Sequence, residues 1–115
     1  MRLGGDPTGI NAAIAESFFA KGLGFMFRKV KEDEAILLTN CSSIHTFFMV
    51  STIDAVFLDP EFRIIKITPG IKPWRLVSRA PDAKMVLELA GNSAANLGMK
   101  TGDKIEFEER TRNEM

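Results

Sequence analysis

The feature that most narrows the fold is a change of period near residue 35. From there the chain runs through "AILLT", "IHTFFMV", "IDAVFLD", "FRIIKIT", "WRLV", "KMVLELA" and "DKIEFEE". Each run is about five to seven residues long, β-branched or aromatic, and bounded by turn chemistry, as strands are. The pattern predicts strands near 35–39, 44–50, 53–58, 62–68, 85–90 and 104–108. "LDPEF" is the clearest turn, because Asp59 can bond the backbone and Pro60 presets the first central position of a type I turn. It predicts a hairpin of 53–58 with 62–68, and "KTGD", with Gly102 in its turn, feeds the last strand.

Before the change of period, "NAAIAESFFAKGL" has Ile14 and Phe18 at helical spacing and alanines that favour helix. It predicts one helix of about two to three turns within 11–24, capped at Asn11 and ended at Gly22 or Gly24. Between "LELA" and the last strand, "GNSAANLGMK" predicts a helical turn with Asn92 or Ser93 as cap and Gly98 as terminator. Alternating β-α-β units are absent. The expected fold is therefore mainly β, a compact antiparallel sandwich or squat barrel with one N-terminal helix. Residues 1–10 read as a flexible leader, 11–110 as a single β-rich domain and 111–115 as a flexible tail.

Lys plus Arg and Asp plus Glu both number 15, so the formal charge is zero and no strong nucleic-acid signal arises. A single cysteine, Cys41, cannot form an internal disulfide and points to a reducing compartment. No uninterrupted apolar stretch approaches the roughly 20 residues of a membrane span, and the N-terminus lacks a signal-peptide core. Cytoplasmic residence is the expectation.

The only histidine, His45, lies in the apolar run "IHTFFM". On a straight strand Cys41, His45, Phe47 and Met49 share one face, and Ile44, Thr46, Phe48 and Val50 the other. Thiol, imidazole and thioether on one face suggest copper, but a type-one site needs a second imidazole, so no metal is assigned. Ser42 or Ser43, His45 and Asp54 are too close along the chain to make a nucleophile–base triad. Asp54 and Asp59, with Glu88 and Asp103, could form paired acids, but acids at strand ends are usually solvated turn residues. A core imidazole must satisfy its polar atoms, so His45 is expected partly buried with a defined hydrogen bond, with a pocket residue as the competing reading and exposure disfavoured. Trp74-Arg75 reads either as a binding surface or as a Trp packed over one end of the fold.

Three segments, "KGLGFMFRK", "SSIHTFFMVSTIDAVFLD" and "VLELAGNSAANLGMKTGDKIEF", resemble motifs of a prokaryotic family, the domain-of-unknown-function family numbered 192. Lys21 stands where that family usually has arginine, and Gly24, Phe25, Met26 and Arg28 follow in register. Phe25 replaces a usual leucine, and Ser51-Thr52 replaces phenylalanine-proline. Many family members carry a secretion signal or lipid anchor, and neither is expected for this chain. The resemblance implies a compact, mainly β fold and brings no established activity. Arg28, at the family's terminal arginine, is expected to clamp a carbonyl or form an ion pair that Lys would not reproduce.

Two functions remain. The favoured one is a non-enzymatic module binding a small ligand or protein partner in a groove near His45, Asp54 and Trp74, with Arg75 and Glu88 as further ligand-binding candidates. The other is a small hydrolase or lyase using His45 as acid or base with Asp54 or Glu88. No convergent catalytic set and no cofactor is assigned, and the oligomeric state is left open. A cavity joining His45 to a carboxylate would favour the enzyme; a flat or packed surface would favour binding.

Overall fold

The computed structural model describes residues 2–3, 11–15, 29–46, 49–75 and 78–107. Its strands are β1 (Arg2–Leu3), β2 (Asn11–Ala15), β3 (Glu34–Thr39), β4 (Ser43–Ile44), β5 (Ile53–Leu58), β6 (Ile64–Ile71), β7 (Ser78–Arg79), β8 (Met85–Ala90) and β9 (Glu106–Phe107). Five of them form one sheet in the order β2-β3-β8-β5-β6, all pairs antiparallel except β2 with β3. Two short pairs, β1 with β9 (parallel) and β4 with β7 (antiparallel), accompany it. The mainly β, mostly antiparallel expectation holds. Among the described residues the main sheet is open, with β2 and β6 at its edges, rather than closed into a barrel.

Every residue of β5 and β8 is buried, which is why these strands read as continuous apolar runs. They are central in the sheet and covered on both faces. One face carries Leu37, Val56, Leu58, Leu87 and Leu89 beneath Ala94, Met99 and Ile105. The other carries Ile36, Leu38, Ala55, Phe57 and Val86 with Ile44, Met49 and Ala80 against them.

The predicted hairpin forms with β5 against β6. Asp59 Oδ1 accepts the N–H groups of Glu61 (2.8 Å) and Arg63 (2.9 Å), and the Phe62 N–H donates to the Asp59 carbonyl (3.0 Å). Phe62 itself takes φ 65°, a left-handed value that glycine usually supplies, and its ring packs edge-on against Phe107 at 5.3 Å. "KTGD" is likewise a turn, with Gly102 at φ 97° and Asp103 Oδ2 accepting the Lys100 N–H. Asp59 and Asp103 are thus the turn acids that their positions suggested.

Three expectations need correction. Asn11–Ala15, read as the start of a helix, is a strand pairing with Glu34–Leu38; residues 16–24 lie outside the described residues. Alanine's helix preference is worth only a few tenths of a kcal/mol per residue. Pairing with β2 satisfies the β3 edge that would otherwise be open, and that outweighs it. The expected strand 44–50 is an extended pair only at Ser43–Ile44, while residues 45–46 and 49–50 are irregular and 47–48 lie outside the described residues. The helix Ser93–Asn96 forms and ends at Gly98 (φ 70°) as predicted, but Asn92 makes no side-chain cap bond. Its cap comes from elsewhere.

Candidate functional site

That cap is Asp54. It sits on β5 opposite Leu89 and is wholly buried, 0 % exposed. Its Oδ2 accepts the Ala94 N–H in the first turn of the helix at 2.9 Å. Its Oδ1 accepts the N–H groups of Asn92 (3.2 Å) and Gly70 (2.9 Å). Gly70 lies in a bulge of β6, where the pairing passes from Ala55↔Thr68 to Ile53↔Ile71, and it takes φ 62°. One side chain therefore ties the bulge to the helix. Its acceptor oxygens are occupied by backbone, so Asp54 is a structural clasp and not a solvated strand-end acid.

Glu88 is the second buried acid, 7 % exposed. It stands opposite Ala55 on β5 and Ile36 on β3, in the apolar face that also holds Val86 and Phe57. Burial raises its pKa to about 7, because the desolvated carboxylate is disfavoured. Since Asp54 opposes Leu89 while Glu88 opposes Ala55, the two acids are on opposite faces of the sheet. They cannot form an acid pair.

His45 falls between buried Ile44 and buried Thr46, and in an extended chain that alternation turns its imidazole outwards. It is exposed, against the expectation of a partly buried ring. It opens onto a cleft of about 320 Å³ whose described lining is Ile44, His45, Thr46, Lys66, Thr68, Ile71, Arg75 and Arg79. Of the predicted site residues, the structure thus brings His45 and Arg75 together. Asp54 and Glu88 are not among that lining. Glu88 is nonetheless on the same face of the sheet as Thr68, in the row Thr68–Ala55–Glu88, about 10 Å away at the usual strand spacing.

The cleft wall depends on Thr46, which is 0 % exposed and which sequence reading did not single out. Its hydroxyl donates to the Lys72 carbonyl (2.7 Å) and accepts the Arg75 N–H (2.8 Å). Its backbone N–H donates to the Arg75 carbonyl (3.1 Å), and its carbonyl accepts the Trp74 N–H (2.8 Å). No local signal marks it, because the partner loop is 26 residues or more away in sequence. The pinned loop holds Trp74 at φ 65°, an uncommon conformation for a bulky residue. Trp74 is 57 % exposed beside Arg75, so it is not packed over one end of the fold. On the opposite wall the Lys66 ammonium donates to the Arg79 carbonyl at 2.7 Å and lies 5.7 Å from the Phe57 ring centre.

The described lining has three permanent cations, one imidazole and no carboxylate. Chemically it can attract and orient a ligand; it has no acid–base pair and no activated nucleophile among those residues. Among the described residues no group of three His, Cys, Asp or Glu side chains could hold a metal ion. No helix among them is long and apolar enough to cross a membrane. Arg28 lies outside the described residues.

A small, mainly β protein with a shallow cationic cleft is the class that fold and site define. The chain belongs to the DUF192 family, described as "Uncharacterized ACR, COG1430", whose model matches residues 1–107. It is 36% identical over 98 residues to a UPF0127 protein of Pyrococcus horikoshii, covering 82% of this chain and 84% of that one. A crystal structure of a protein of unknown function from Novosphingobium aromaticivorans superposes with a TM-score of 0.75 at 24% identity, over 83% of this chain and 73% of that one. A second, from Sinorhizobium meliloti, superposes with a TM-score of 0.76 at 19% identity, over 83% and 79%. These two share the fold.

Proposed function

We propose that this chain is a non-enzymatic ligand-binding module whose site is the cleft at His45 and Arg75, with Trp74 on its rim. The observation that carries the reading is a cleft at His45 whose described lining holds no carboxylate, with outward-facing polar groups on a loop that Thr46 fixes in place. Preorganised clefts with a few convergent polar groups are where small ligands bind. The enzyme reading is supported less well, because the carboxylates it needs are elsewhere: Asp54 is consumed by backbone donors and Glu88 is buried beneath the sheet face. The strained Trp74 adds support, since backbone outliers collect at ligand clamps. The lone cysteine favours a reducing, cytoplasmic setting.

A fragment and metabolite screen with amide and imidazole chemical-shift mapping tests the proposal. Hits that shift His45, Thr68, Trp74 and Arg75 together support it. Hits that consistently map away from these residues, or turnover of a hit by the protein, overturn it.

A further inference from the structure

We infer that the ligand of this cleft is a small oxyanion-bearing molecule, a carboxylate or a phosphate with a compact apolar part; this rests on the binding-module reading above. The chain as a whole is balanced, 15 basic against 15 acidic residues, yet Lys66, Arg75 and Arg79 converge on one cleft with His45 and no acid in the described lining. Like charges brought together without a counter-charge repel one another, and an anion removes that cost as it binds.

The cations are also held, not merely near. Both backbone polar groups of Arg75 are bonded to Thr46 (2.8 and 3.1 Å), so the base of its guanidinium arm is fixed. The Lys66 ammonium is set against the Arg79 carbonyl, which ties β6 to β7 across the cleft. Two planar guanidinium forks and a point charge match the oxygens of a carboxylate or phosphate, to which arginine donates in pairs. Ile44 and Ile71, both buried, give the cleft an apolar floor. A volume of about 320 Å³ is at the small end of ligand pockets, which limits the occupant to a metabolite-sized molecule. A nucleic-acid backbone is a poorer fit, because three cations neutralise too few phosphates for useful affinity at physiological salt.

The experiment titrates inorganic phosphate, succinate and, as an uncharged isostere, succinamide into the full chain, following the His45 imidazole and Arg75 amide signals by NMR. Wild type is compared with Arg75→Gln and Arg79→Gln, each accepted only with a native-like amide spectrum. Saturable shifts with phosphate, succinate or both are expected, with succinamide at least tenfold weaker. Either Gln variant should weaken the anion about tenfold or more, and 0.5 M sodium chloride should weaken it several-fold. Phosphate alone would assign a phosphoryl ligand, and succinate alone a carboxylate. Succinamide binding as well as succinate, with the Gln variants unaffected, overturns the anion inference and leaves the binding module standing. No saturable shift at the cleft from any of the three overturns the anion inference, and if the fragment screen is also silent there, the module falls with it.

Discussion

Replacing Glu88 by Gln should make the protein more stable at pH 8 and leave it nearly unchanged at about pH 4. The magnitude follows from burial. The Glu88 carboxyl has a pKa of about 7 in the folded chain against an ordinary value of 4.5, with desolvation as the cause. The folded state therefore holds this proton more tightly than the unfolded state does. Below pH 4.5 both states are protonated and the group costs nothing extra. As pH rises towards 7 the unfolded chain releases its proton first, and each pH unit removes about 1.4 kcal/mol of stability. Above pH 7 the loss levels off at about 3 kcal/mol, a large fraction of the roughly 5–15 kcal/mol that holds a small domain together. Gln has nearly the same shape and cannot ionise, so the variant escapes this loss. Its neighbours Ile36, Ala55 and Val86 offer no cation to offset the charge. Urea denaturation of both proteins at about pH 4 and pH 8 reads the effect directly, as a midpoint difference that opens only at the higher pH. A gain of about 3 kcal/mol corresponds to a melting temperature higher by some 10 °C or more. Parallel loss of stability in the two proteins as pH rises, or a variant less stable than wild type at pH 8, would refute the reasoning.

Three further outcomes follow from the site. Asp54→Ala leaves three backbone donors without their acceptor and should cost about 3 kcal/mol or more in thermal or urea unfolding; a melting temperature within a few degrees of wild type would show that water replaces the carboxyl. Thr46→Val removes the side-chain bonds to Lys72 and Arg75 at nearly constant volume and should cost about 2 kcal/mol; amide hydrogen exchange should quicken at Trp74 and Arg75, and unchanged exchange there would mean that the loop is held by something else. His45→Ala should change stability by no more than about 0.5 kcal/mol, as exposed positions do, while loss of about 2 kcal/mol in a melt would contradict an outward-facing ring.

The parts of the fold that were legible are those in which local chemistry and packing ask for the same thing. β8 was readable because a central strand buried on both faces must be apolar throughout, and Asp59-Pro60 was readable because both residues favour the same turn. Asn11–Ala15 was misread because its alanines state a helical preference too weak to resist an open strand edge that lies some twenty residues on in sequence. The site suffered from the same long-range blindness. Thr46 controls the cleft through a loop that only the fold brings near, and nothing in "IHTFFM" says where the strand ends and the imidazole turns out.

Asp54 and Glu88 show most clearly why residue types alone could not decide between the two functions. Either acid can be paired with His45 while the register is unknown, because a shift of one residue moves every side chain of a strand to the other face. The observed register sets Asp54 against Leu89 and Glu88 against Ala55, which puts one acid into the helix clasp and the other into an apolar layer. What remains in the described lining of the cleft is positive charge without an acid. An acid–base enzyme needs two groups of differing proton affinity facing one substrate; a receptor for an anion needs only fixed positive charge and a floor. The register of β5 against β8 is therefore what separates the two readings, and it supports the proposed anion receptor over the acid–base enzyme.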